Sequence, residues 1–168
     1  FIGDPTEIAL VEFFTKKYDV DKYREIHRQY NRVEEIPFDS DRKLMTTIHK
    51  FQNKYIAITK GAIEAIYNRL VEEDREEEFL NQANKMAEDG IRVLAFSYRF
   101  FDSIPNVNEI DKIENNLEFI GLTGMIDPPR EEVKDAVHDC KTAGINVVMI
   151  TGDHPATASS IAKDIGIL

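Results

Sequence analysis

The sequence has no tryptophan and a single cysteine, Cys140. An internal disulfide is therefore excluded. Cys140 falls on the apolar stripe of an expected helix and reads as a small core residue, with no sign of a secretory setting. Long apolar stretches are also missing. The longest, such as Val147-Val148-Met149-Ile150, fall far short of the ~20 residues a membrane-spanning helix needs, so a soluble chain is expected. Phe1-Ile2-Gly3 opens without methionine, a basic start or an apolar leader, and reads as the start of an excised piece. Basic clusters are lacking too. A formal net charge of -10 with no Lys/Arg patch argues against nucleic acid as a partner. It leaves nucleotides open, because a few local cations can hold phosphates on an acidic protein when distant charges are screened.

What remains is a globular composition, 42% hydrophobic and 31% charged over 168 residues, enough for one good core and part of another. The segment Phe38-Asp39-Ser40-Asp41-Arg42-Lys43-Leu44-Met45 places an aromatic ring, two cations and a thioether at a strand edge. Such a ring with a soft neighbour can hold a purine, and the cations can hold phosphates. The same residues also suit a strand with one core Phe and a solvated turn. Leu44 to Phe51 and Lys54 to Thr59 form an expected hairpin around Gln52-Asn53, with Asn53 supplying the positive φ. Lys60-Gly61-Ala62 follows, ahead of a helix marked by Ile63, Ile66, Tyr67 and Leu70. A cation and backbone N–H groups converge there and favour an anion, though Lys60 can equally be a solvated strand end.

Upstream, Gly3-Asp4-Pro5-Thr6-Glu7 has the grammar of a helix start, with Asp4 as cap and Glu7 able to reach back. The first helix runs to about Lys17, a polar helix or loop covers Asp21 to Tyr30, and a strand covers Val33 to Phe38. Downstream, Val71 to Glu78 is an acidic run entering a helix that ends at Gly90. Ile91 to Phe100 and Leu117 to Ile126 are strands, joined by a loop from Asp102 to Asn116. Arg92, on a core strand, is expected to need a partner. After Asp127-Pro128-Pro129-Arg130, a stiff joint, the pattern changes to helix, continuous apolar strand (Ile145 to Ile150), Thr151-Gly152-Asp153-His154-Pro155 and helix. That is a parallel α/β pattern with polar groups at the strand's C-terminal end. Asp153 also suits a helix cap before Pro155.

Taken together, Gly3–Glu7, Phe38–Met45, Lys60-Gly61-Ala62, Arg92-Val93-Leu94-Ala95, Asp127–Arg130 and Met149–Asp153 resemble the cytosolic part of P-type cation-transporting ATPases, most closely the calcium-pump-like group. The resemblance implies an α+β nucleotide-binding domain over residues 1–126, with an antiparallel sheet flanked by helices and without its opening strands. Residues 127–168 would be a hinge (Asp127, Pro128, Pro129) and an α/β stub of a haloacid-dehalogenase-like phosphorylation domain. By matching position, Phe38 would stack on adenine and Glu7 would lie at its polar edge. Lys43 and Lys60 would line the purine and phosphate side, Met45, Gly61 and Leu94 would form walls, and Arg92 would reach the phosphates. Thr151, Gly152 and Asp153 would line the phosphorylation site.

The implied ligands are ATP with Mg²⁺, and the implied partners are the phosphorylation, actuator and membrane domains of the same pump. Neither a protein metal site, nucleic acid nor direct membrane contact is implied for this piece, which would sit on the cytosolic side of an integral membrane protein. The parent would be an ATP-hydrolysing cation translocase with calcium favoured as the ion. This sequence departs from the pattern at Ile63 (often Pro), Ser40 (basic in some members) and His154 (often Asn). It contains no Asp-Lys-Thr-Gly-Thr segment carrying the phosphorylated aspartate and no Gly-Asp-Gly-x-Asn-Asp segment for magnesium, so it is expected to hydrolyse nothing by itself. Two other readings stay open: a haloacid-dehalogenase-type phosphatase with a cap domain, and a non-catalytic interaction module docking through the Phe38 edge. Strand 145–150, having no parallel neighbours here, is expected to pack on the first domain, pair with another copy or be loosely ordered.

Overall fold

The computed structural model describes residues 3–71, 76–88, 90–126, 129–151 and 155–168. Asp4 starts α1 (Pro5–Tyr18) by accepting the Thr6 amide on its carboxylate at 2.9 Å, with Pro5 in the first turn. Asp19, at φ 72°, ends α1 through its amide to the Thr15 carbonyl and opens α2 (Val20–Gln29) by accepting from the Lys22 amide. The expected polar segment after Asp21 is thus helical.

Five strands follow as an antiparallel meander in chain order. They are β1 (Arg32–Asp39), β2 (Leu44–Phe51), β3 (Lys54–Gly61), β4 (Arg92–Phe101) and β5 (Glu118–Met125). The β2–β3 hairpin is in continuous register from Leu44–Gly61 to Phe51–Lys54. Its positive φ of 56° falls on Gln52, the first turn residue, rather than on Asn53 as the sequence suggested. A two-residue hairpin accepts that geometry because its twist matches the strands. Between β3 and β4 lie α3 (Ile63–Tyr67) and α4 (Glu76–Glu88), the latter closed by Gly90 at φ 76°.

Alternation along the strands divides the sheet into two faces. Leu44, Thr46 and Ile48 point to the core face, opposite Gly61, Thr59 and Ala57 of β3. Two apolar clusters form there. One joins Leu44, Ile63, Ile66, Ala83 and Ala95; the other joins Ile36, Ile48, Ala57 and Ile113. Between them runs a buried polar row. Thr46 and Thr59 share a 2.8 Å hydroxyl contact, and Ser97 donates to the Thr59 carbonyl at 3.4 Å. Ile113 belongs to α5 (Ile110–Ile113), inside the segment read as a loop. Only four residues long, α5 shows no helical period, and tertiary bonds hold it: Arg99 donates to the carbonyls of Lys112 and Asn115 at 2.9 and 2.6 Å.

The opposite, open face carries Met45, Lys60, Phe96 and Leu94; α1 touches it through the Glu7–Lys60 ion pair, and the end of α2 reaches it through Tyr30. Neither helix contributes a buried residue. At the far end of this face, His49 Nδ1 lies 2.9 Å from the Tyr30 carbonyl, and Tyr30 stacks on Phe51 with centroids 5.3 Å apart.

Beyond Pro129, α6 (Glu132–Thr142) and α7 (Pro155–Asp164) are present as read, bridged by Lys134 and Asp164 at 3.0 Å. The continuous strand expected at residues 145–150 is not. The segment joins no ladder, with Ile145, Val148 and Ile150 exposed to 56, 77 and 94%. A parallel strand needs neighbours at its edges, and the sheet of this chain ends at β1 and β5. The observed architecture is therefore the antiparallel sheet with flanking helices; the haloacid-dehalogenase-like stub is not seen as a sheet. Among the described residues no helix is long and apolar enough to cross a membrane.

Candidate functional site

The candidate site occupies the end of the open face where β2 leaves the Asp39–Lys43 turn and β3 stops. Register sets its layout. Lys60 lies between Met45 on β2 and Phe96 on β4, and Leu94 is the next residue of β4 on the same face. Arg92 follows at the start of β4, opposite Met125. Phe38 is the second-to-last residue of β1, just before Asp39, and is 63% exposed. It is not the single core phenylalanine that a structural reading would make it: the inward position of β1 is held by Ile36, 3% exposed. An exposed phenylalanine ring offers a flat apolar surface on which a planar group can stack.

Lys60 is not a solvated strand end. Its side chain is 16% exposed and forms an ion pair with Glu7 of α1. Glu7 accordingly turns toward the sheet, while Asp4 alone caps the helix. Burial pushes the Lys60 ammonium below its ordinary value of 10.5, with Asp4 pulling it the other way. An ammonium half withdrawn from water gains more from an incoming anion than a fully hydrated one.

Gly61 allows the closest approach in the region. A Cβ there would lie 2.1 Å from the Lys43 carbonyl oxygen and 2.8 Å from Leu44 Cδ2, so only glycine lets the turn lie against the end of β3. The Ala62 amide donates to that same carbonyl at 3.2 Å. Lys43 itself takes φ 56° and is exposed.

Other expectations are corrected. Arg92 is exposed, so no buried charge needs a partner at that point of the strand. Of the two adjacent cations in the turn, Arg42 points into the protein: its Nη1 donates to both carboxylate oxygens of Glu114 at 2.6 Å, and its Nη2 donates to the Pro37 carbonyl at 2.8 Å. Glu114, 1% exposed, also accepts from the Thr46 hydroxyl at 2.8 Å. The sequence reading missed Glu114. The signal available was the set of polar residues, Thr46, Thr59 and Ser97, at inward strand positions, which calls for a polar neighbour.

Of the expected phosphorylation-site residues, Thr151 is exposed, while Gly152 and Asp153 lie outside the described residues. The hinge residues Asp127 and Pro128 also lie outside them, and Pro129 is half-buried. The structure thus brings Glu7, Met45, Lys60 and Leu94 together on one face and packs Gly61 against the Lys43 carbonyl; Phe38 precedes the Asp39–Lys43 turn and Lys43 ends it, both exposed. No cluster of three or more metal-ligating side chains occurs among the described residues.

Comparison with known proteins gives the family. The chain is 47% identical to a calcium-transporting ATPase of Bacillus cereus over 98% of its own length and 19% of that protein's. It is 40% identical to a calcium-transporting ATPase of Listeria monocytogenes, covering 99% of this chain and 20% of the relative. A sodium/potassium exporting P-type ATPase of Schizosaccharomyces pombe is 40% identical over 99% of this chain and 17% of its own length. The chain spans about a fifth of the length of the relatives it matches. Residues 1–132 match the family described as P-type ATPase, cytoplasmic domain N, and the chain belongs to that family.

Proposed function

We propose that residues 1–126 bind ATP on the open face and, within a cation-pumping ATPase, present its γ-phosphate to an aspartate that lies outside this chain. The observation that carries the reading is the end of the open face: the half-buried ammonium of Lys60 pairs with Glu7 beside Met45, and the exposed ring of Phe38 precedes the Asp39–Lys43 turn, whose last carbonyl packs against Gly61, the residue after Lys60. Adenine would lie against Phe38, a contact worth roughly 1–3 kcal/mol in single-strand binders. Glu7 would accept from the exocyclic amine, and Met45, Leu94 and Gly61 would bound the pocket. Lys43, Lys60 and Arg92 would face the phosphates, which bring Mg²⁺ with them. The Glu7–Lys60 ion pair must loosen to admit the nucleotide.

In the intact pump, Asp127, Pro128 and Pro129 form the hinge to a second domain over 127–168, and Thr151, Gly152 and Asp153 line the phosphorylation site. The chain's role there is orientation of the nucleotide for in-line transfer. Parts of the same pump are then its partners, on the cytosolic side of the membrane. Calcium is the ion favoured by the names of the relatives from Bacillus cereus and Listeria monocytogenes.

Titrating ATP with Mg²⁺ into the chain while following backbone amide shifts tests the reading. Saturable shifts at residues 38, 45, 60 and 94, with no phosphate released, are the expected result. Absence of any shift at millimolar ATP overturns it.

A further inference from the structure

Phe38 sits where the sheet gives it least support. The β1–β2 register shifts between Ile36 and Asp39, and Pro37 has no N–H to offer a ladder. What holds this stretch is the turn. The Asp39 carboxylate accepts the amides of Asp41 and Arg42 at 3.1 and 2.9 Å, and the Lys43 amide donates to the Asp39 carbonyl at 2.7 Å. On the other side of Phe38, Arg42 Nη2 holds the Pro37 carbonyl. The ring's backbone is therefore gripped on both flanks by one turn, and the guanidinium is the longer arm of that grip.

Glu114, 72 residues further along the chain, keeps the guanidinium in place. A carboxylate 1% exposed on the core face needs donors for both oxygens, and it finds them in Arg42 and Thr46. Thr46 is in turn tied to Thr59, one residue before Lys60 on β3. The buried acid thus links, through the sheet, the turn that carries the ring and the strand that carries the ammonium.

We infer that Glu114 is a positioning residue for nucleotide binding: acting through Arg42 from the core face, it fixes the Asp39–Lys43 turn and the ring of Phe38 without touching the ligand. The inference rests on the nucleotide reading above. It assigns Arg42, the first of the two adjacent cations, to the scaffold and leaves Lys43 as the cation the turn presents.

The test uses the whole chain in three forms: wild type, Glu114→Gln, and the double variant Arg42→Met with Glu114→Met. The methionine pair replaces the buried charges by apolar groups of similar length, so the core can remain closed while the hold on Pro37 is lost. Glu114→Gln keeps the shape of the acid and removes its charge. ATP affinity is read by amide shifts, and the order of the turn by hydrogen exchange at residues 39–43 without ATP. The expected result is an affinity about tenfold weaker in the folded variants, the size of one charge-assisted hydrogen bond, with faster exchange confined to the turn. Phe38→Ala should then cost the double variant less affinity than it costs wild type. Folded variants that bind ATP as wild type does, or exchange at wild-type rates in the turn, overturn the inference. If the wild-type chain binds no ATP, the nucleotide reading fails and this inference fails with it. Binding that survives in the double variant removes only the latter.

Discussion

The two faces of the sheet are built to different standards. On the core face, Leu44, Ile48, Ala57 and Ala95 are fully buried, covered by residues such as Ile66 of α3, Ala83 of α4 and Ile113 of α5. On the open face, Met45, Lys60 and Phe96 are only partly buried, and neither α1, which reaches Lys60 through Glu7, nor α2 buries one residue of its own. One set of five strands therefore serves stability on one side and leaves room on the other. The lesson is that one sheet face can be left loosely covered where the opposite face supplies the closed packing.

Substitutions should separate the faces, and the largest effect belongs to the core. Ile66→Ala, at a fully buried site, is expected to cost about 2–5 kcal/mol in urea unfolding. The ATP-induced amide shifts of the fraction that stays folded should not move. On the open face the pattern reverses. Phe38→Ala should weaken ATP binding by the equivalent of about 1–3 kcal/mol. Its unfolding midpoint should stay within about 0.5 kcal/mol of wild type, because the ring is already exposed.

Lys60→Met sharpens the contrast further. Because burial lowers the folded pKa of Lys60 below 10.5, the unfolded chain holds this proton more tightly than the folded one. Stability from this group therefore rises with pH through the folded pKa and levels off above 10.5. Replacing the ammonium by methionine should abolish this pH dependence of stability while weakening ATP binding. Thermal melts between pH 7 and pH 10, as probe conditions of about neutral and alkaline charge, should show the alkaline gain in wild type and its loss in the variant. The smallest effect is that of the helix start. Asp4→Ala removes the cap of α1 for about 1 kcal/mol and should raise amide exchange in the first turn of that helix alone.

Much of this division was legible in the sequence. Alternation gave the β2–β3 hairpin, and the approach of the turn to β3 explains why glycine follows Lys60. What could not be read was decided by contacts far apart in the chain. Glu114 is buried by a partner 72 residues away, and α5 is held by Arg99 rather than by its own period. The apolar run at 145–150 carries the composition of a central strand, but composition cannot supply the edges with which such a strand pairs. Arg92 was placed correctly on its strand, yet it is exposed, and what covers the first residue of a strand is a tertiary matter that local pattern does not encode.

The position of β1 at the margin of the sheet has a kinetic consequence. With broken pairing at both of its ends and a neighbour on one side only, it is the strand that can peel away at least expense, taking Phe38 with it. A ligand stacked on that ring would act as a clasp on the margin, slowing the fraying of β1 more than that of any interior strand.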